Sequence, residues 1–182
     1  RYSNLTELAD FAFANCQSLQ KFMVPTNVTT IGNNVFEDCY SMVSINLADA
    51  DEQNGFSEEE EMAATDHATA LNNFGNNVFK GCTNLRSVTF PRSFSNASGP
   101  NPGTIDVADF RGCENLKHIT AASPLLKITG GQVDSSYTVD SFKEDVPAEF
   151  YLESVDNSQL HNCATENYMA FSYLNSDGTK QD

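Results

Sequence analysis

Val28-Thr-Thr-Ile31-Gly32-Asn-Asn-Val-Phe36-Glu-Asp-Cys39-Tyr-Ser-Met42-Val-Ser-Ile45-Asn-Leu47 is the stretch on which the fold turns. Its pentapeptide Gly-Asn-Asn-Val-Phe, residues 32–36, recurs verbatim at 75–79. Working outward from Cys39, the other cysteines are Cys16, Cys82, Cys113 and Cys163. The first four of the five have a phenylalanine three residues earlier, at Phe13, Phe36, Phe79 and Phe110, while the fifth has Leu160. Eight residues before the cysteines stand Leu8, Ile31, Phe74, Ile105 and Val155, and eleven before stand Leu5, Val28, Leu71, Pro102 and Leu152. Three after come Leu19, Met42, Leu85, Leu116 and Glu166. Six after come Phe22, Ile45, Val88, Ile119 and Met169, and eight after come Val24, Leu47, Phe90, Ala121 and Phe171.

The cysteine spacings are 23, 43, 31 and 50. Twenty-three is the unit; 43 is a unit plus 20 and 31 a unit plus 8. Counting 23 from Cys113 reaches Ser136, around which Leu125, Ile128, Val133, Val139 and Phe142 fill the apolar frame. A degenerate unit is therefore expected there, making about six in all. A fixed period of this length marks a stacked repeat array, and 20–29 residues is the range of leucine-rich repeats.

Each unit closes one coil. The Leu-x-x-Ile-x-Leu segment ends on a period of two, the strand period. Strands are expected at Leu19–Val24, Met42–Leu47, Leu85–Phe90 and Leu116–Ala121. Stacked about 4.8 Å apart, six of them make a parallel concave sheet. The Val-x-x-Ile stretch crosses the far side, and Phe-x-x-Cys closes the coil in one turn. Gly32 and Gly75 are expected to ease that corner, because glycine takes positive φ freely. The phenylalanines should stack as an inner ladder. The predicted fold is thus a mostly β member of the α/β repeat class, one solenoid domain over residues 1–182. Loops are inserted at about 49–70, 92–103 and 145–149, and a polar tail covers 172–182. The abrupt start at Arg1 carries no cap for the first coil, so more protein is expected before it.

The pattern Val-x-x-Ile-Gly-x-x-x-Phe-x-x-Cys-x-x-Leu-x-x-Ile-x-Leu-Pro resembles the BspA-like class of leucine-rich repeats. Residues 28–47 and 71–91 match best, and the resemblance runs from Leu5 to Phe171 outside the insertions. Pro102, Val133, Ser136, Leu160 and Glu166 depart from it. The resemblance implies a surface or secreted protein of a bacterium or protist, with adhesion to host or neighbouring-cell protein as its role. No binding residue is shared across that class, so none is carried over.

Net charge is −15 with a pI near 4.3, which makes nucleic acid and anionic lipid poor partners. No apolar run is long enough to span a bilayer. Eight of the acids fall between Asp49 and Ala70, where no Lys or Arg occurs, and the segment reads as a solvated loop. Asp49, Asp51, Gln53 and Glu60 match positions 1, 3, 5 and 12 of a calcium loop, but Asn54 stands where glycine is required. This is a weak calcium candidate beside the plain reading of an acidic loop.

No metal or cofactor is otherwise expected. Cys16, Cys39, Cys82, Cys113 and Cys163 have no C-x-x-C spacing and read as unpaired packing residues, together with the ladder of Phe13, Phe36, Phe79 and Phe110. His67, His118 and His161 lack partners at ligand spacing. No catalytic motif occurs, so an enzyme is not expected. The sequons at Asn4, Asn27 and Asn96 are no more than composition supplies.

A partner is expected on the concave face, where the residues flanking each middle apolar position point outward. These are Lys21 and Met23, Ser44 and Asn46, Ser87 and Thr89, His118 and Thr120, Ser141 and Lys143, and Tyr168 and Ala170. A shallow row of hydroxyls, amides and an aromatic suits a protein or glycan better than a small metabolite. Two functions stay open: an extracellular or cell-surface adhesion module, and a scaffold subunit of an intracellular assembly, where unpaired thiols are at home.

Overall fold

A computed structural model describes residues 5–25, 27–47, 71–91, 94, 103–121, 123–156 and 158–174. The acidic segment with Asp49, Asp51, Glu60 and His67, nearly all of the second insertion, and residues 175–182 lie outside these.

The repeat builds a coil at each turn. One parallel sheet contains β2 (Lys21–Met23), β4 (Ser44–Asn46), β6 (Ser87–Phe90), β8 (His118–Ala121), β10 (Tyr151–Val155) and β11 (Ala170–Leu174), in that order. On the return side β1 (Glu7–Leu8), β3 (Thr30–Ile31) and β5 (Asn73–Phe74) form a second parallel sheet, and β7 (Thr104–Asp106) pairs with β9 (Lys127–Thr129) in a third. Strands this short persist only because each hydrogen-bonds the next coil. The register is the frame read from the cysteines: Phe22, Ile45, Val88 and Ile119 face one another in turn.

Between the sheets lies the core. Phe13, Phe36, Phe79 and Phe110 stack with ring centroids 5.5, 5.8 and 5.7 Å apart. All five cysteines are free. The thiols of Cys39, Cys82 and Cys113 each donate to the carbonyl of the preceding coil's phenylalanine, at 3.1, 3.0 and 3.2 Å. Cys163 departs from this, donating to Ile128 at 3.3 Å. A buried sulfur that also satisfies a turn carbonyl explains why the position is cysteine, since an orphaned buried carbonyl is costly.

The turns make a backbone ladder of their own. Phe13 N–H donates to Val35 O, Phe36 to Val78 O and Phe79 to Asp109 O, at 2.9, 3.0 and 2.9 Å. The left-handed residues sit at Phe11, Asn34 and Asn77, and again at Asn15, Asp38, Gly81 and Gly112. Gly32 and Gly75 are not among them, contrary to expectation. Their requirement is space: a Cβ on Gly32 would lie 2.5 Å from Asp10 Oδ1 and 2.7 Å from Asp10 N. One on Gly75 would overlap the carbonyl group of Gly32 and come within 2.6 Å of Asn33 N. In place of side chains there, Asn33 N–H donates to Asp10 Oδ1 at 2.7 Å and Asn76 N–H to Asn33 Oδ1 at 2.9 Å.

The last two coils leave the 23-residue frame. Ile119 faces Leu152, 152 − 119 = 33 residues on, and Leu152 faces Phe171, 171 − 152 = 19 on. The segment expected as the fifth strand is instead helix α1 (Val139–Asp145), capped by Thr138 and Ser141. Leu152 and Val155, expected on the return side, belong to the long sheet. Phe142 on α1, not Val133, continues the ring ladder from Phe110, at 6.3 Å and tilted 54°. Leu125 is 63% exposed while Leu126 is buried. Helix α2 (Gln159–Glu166), capped by Ser158, replaces the last turn. β11 runs to Leu174, so residues 172–174, expected in the tail, lie in the long sheet.

Candidate functional site

On the long sheet, residues alternate between core and outward face. One outward row is Lys21, Ser44, Ser87, His118, Tyr151 and Ala170; the other is Met23, Asn46, Thr89, Thr120, Glu153 and Ser172. The eight residues expected from the first four strands are all in these rows. The expected Ser141, Lys143 and Tyr168 are not. Ser141 caps α1, its N–H donating to Thr138 Oγ1 at 3.3 Å. Lys143 Nζ binds Asp140 at 3.0 Å and Asn167 O at 3.1 Å. Tyr168 is 94% exposed at positive φ just before β11. Tyr151, Glu153 and Ser172 hold the vacated places, and Ala170 keeps its place in the first row.

The missed signal was local. Phe150-Tyr-Leu-Glu-Ser-Val155 is rich in aromatic and branched residues and lies between Pro147 and Asp156, which is strand grammar. A 23-residue count does not reach it, because Leu152 pairs with Ile119 at 33 residues' distance.

The face is not an open polar floor. Ser44, Ser87, Thr120 and Glu153 are buried, whereas Asn46, Thr89, His118, Tyr151 and Ser172 are half-exposed, and Lys21, Met23 and Ala170 exposed. His118 and Tyr151, neighbours on adjacent strands, stack at 5.2 Å with planes 17° apart. Beside them Thr120 donates to Glu153 Oε2 at 2.9 Å. Burial first, and the Glu153 charge second, push the Tyr151 hydroxyl above its ordinary range. The arrangement is an aromatic ledge with small residues on both sides and a carboxylate at its foot. It offers stacking and hydrogen bonding.

Among the described residues no three acids, histidines or cysteines could hold a metal. No helix among them is long and apolar enough to cross a membrane. The buried thiols are poor nucleophiles: burial pushes Cys39 up to about 11, and Cys82 and Cys113 higher still.

No curated protein is detectably similar to the chain. A leucine-rich repeat protein from Bacteroides ovatus, known from a crystal structure, aligns with a TM-score of 0.49 at 15% identity. That alignment covers 95% of this chain and 36% of the other, so the chain spans about a third of that protein's length. The profile of the BspA type leucine rich repeat region matches in 6 copies over residues 2–101. With that match over more than half of its length, and with a parallel coil ladder to carry the repeat, the chain belongs to the BspA-type leucine-rich-repeat family.

Proposed function

We propose that the chain is a protein-interaction module of a cell-surface or secreted protein, serving adhesion through the outward face of the long sheet. The observation that carries this reading is the half-exposed His118–Tyr151 stack, set on a sheet whose other outward residues are mostly small. Aromatic anchors ringed by near-neutral contacts are the usual centres of protein interfaces. The residues proposed to meet the partner are Lys21, Met23, Asn46, Thr89, His118 and Tyr151, with Ser44, Ser87 and Thr120 shaping the floor. The acidic exterior favours a basic partner surface over an acidic one.

The test is binding of the immobilised chain to a panel of matrix and plasma proteins, followed by Tyr151→Ala and His118→Ala. Loss of an anchor should weaken a detected complex by roughly 30-fold or more, the size of a hot-spot truncation. A panel without binders, or a complex indifferent to both variants, defeats the proposal. A glycan partner would show as binding that survives proteolysis of the target and is lost on deglycosylation.

The five free thiols favour a second reading, a scaffold subunit in a reducing compartment. Fractionation of the source cell separates the two: recovery with a particle or cytoskeletal fraction supports the scaffold, recovery at the surface the adhesin.

A further inference from the structure

Coils three and four meet at an unusual junction. The return-side sheet is interrupted there: β5 pairs with β3, β7 pairs with β9, and among the described residues β5 and β7 do not pair with each other. At the break lies a cavity of about 40 Å³, lined among others by Phe74, Asn76, Asp106, Asp109, Thr129 and Gln132. At 10–15 Å³ for each, it has room for about three waters. Two carboxyl groups face it, Asp106 at 4% and Asp109 at 2% exposure.

The two are served unequally. Asp106 Oδ1 accepts from Ala108 N at 2.9 Å, and its Oδ2 from Gln132 N at 2.8 Å and more weakly from Val133 N at 3.4 Å. Asp109 Oδ2 accepts from Asp106 N at 3.2 Å, and the backbone amides of Asn77 and Val78 on coil three also favour its charged form, though less than burial opposes it. Asp109 Oδ1 is buried with no hydrogen-bond partner within bonding distance. No Lys, Arg or His is among the lining residues. Lys80 and Arg111, on the adjacent turns, are engaged with Glu37 and Asp134, each at 2.8 Å. The titratable groups facing Asp109 are Asp106 and the Cys113 thiol, both of its own coil; the linings from coils three and five contribute none. A buried carboxylate beside another, with one oxygen orphaned and no counter-charge, is held neutral or drawn to water.

We propose that Asp109 is a proton-operated latch on the junction between coils three and four, closed while the carboxyl carries its proton and opened to water when the proton leaves. Asp109 is placed to act this way because its own main-chain carbonyl accepts Phe79 N–H across the junction at 2.9 Å. Movement of its side chain toward water therefore pulls on a bond that joins the coils. Burial raises Asp109 to about 8, which sets the transition in the neutral to mildly alkaline range. The β6–β8 pairing remains across the junction, so the opening is local.

Site-resolved thiol labelling by mass spectrometry tests this in the whole chain. Cys113 Sγ bridges the junction to Phe79 O, and Cys39 bridges the first two coils to Phe13 O as an internal reference. Both thiols titrate well above the working range, and the charge of ionised Asp109 raises Cys113 alone, so a rise in the ratio reports opening and not a more acidic thiol. Between pH 6.5 and 9 the Cys113-to-Cys39 labelling ratio should rise at least about fivefold in the wild type and stay flat in Asp109→Asn. A wild-type ratio that does not change with pH, or an equal rise in Asp109→Asn, overturns the latch. Asp106→Asn supplies a second measurement should Asp109→Asn fail to fold. Removing the neighbouring charge lets Asp109 ionise more easily and should move the rise to lower pH; an unmoved midpoint counts against the latch.

Discussion

Gly75→Ala isolates the reason for the repeat's glycine. The new Cβ would overlap the Gly32 carbonyl group and sit 2.6 Å from Asn33 N, where 3.4–4 Å is ordinary contact. Backbone cannot swing aside as a side-chain tip can, so coils two and three must part. Three bonds cross at that spot: Gly75 N to Ile31 O at 2.8 Å, Asn76 N to Asn33 Oδ1 at 2.9 Å and Asn34 N to Asn76 O at 2.9 Å. Overpacking costs roughly 1–3 kcal/mol, and losing two of the bonds adds about 1 kcal/mol each. The sum, about 3–5 kcal/mol, lowers the melting temperature by roughly 10 °C in a chain of this size. Gly112→Ala is the control: its Cβ would meet Gly81 at an ordinary 3.6 Å, so only the φ of +78° is strained, at about 1–2 kcal/mol. Gly75→Asn decides between the causes. Asparagine tolerates positive φ, so it would rescue a conformational requirement, but it cannot rescue a lack of space. Calorimetry of the three variants reads the result. A Gly75→Ala melting temperature within about 2 °C of wild type, or a stable Gly75→Asn, refutes the reasoning.

Three further outcomes follow from the core. Phe79→Ala, which removes a buried ring stacked on both sides, should cost about 3–5 kcal/mol in urea unfolding, and Phe13→Ala, half-buried in the first coil, less than half of that. Native chain at pH 6.5, below the Asp109 transition, should expose one fast thiol to Ellman's reagent, the half-buried Cys16, with the buried four reacting far more slowly. Asp109 holds its proton to about pH 8 when folded, against an ordinary unfolded value near 3.9. The native state therefore binds more protons across that window, and unfolding free energy should fall as pH rises from about 4 to 8, at up to roughly 1.4 kcal/mol per unit. Asp109→Asn should flatten that slope; an unchanged slope places the linkage elsewhere.

The first four coils were legible because their spacing is a physical constraint. Parallel strands stack residue on residue, so Phe22, Ile45, Val88 and Ile119 must recur at the same place in every coil, whatever loop length intervenes. The outward residues of those strands followed by alternation. The later coils were not legible by counting. The coil from β8 to β10 holds both the return strand β9 and helix α1 and runs 33 residues, whereas the last coil turns from β10 through α2 straight into β11 and runs 19. Val139 and Phe142 fit the periodic frame by coincidence, and Ser141 and Lys143 were carried onto the face with them.

By itself, then, the sequence determined the class of fold, the period, the Phe and Cys columns and four strands' worth of outward face, because all of these are one-dimensional repeats imposed by stacking. Only the tertiary structure decided which turn became a helix, that Tyr151 lies beside His118, and that Gly75 is required for space. It alone left one carboxyl oxygen of Asp109 without a hydrogen-bond partner at a break between two sheets. Each of these depends on residues 30 or more apart meeting across adjacent coils, a relation no local pattern encodes.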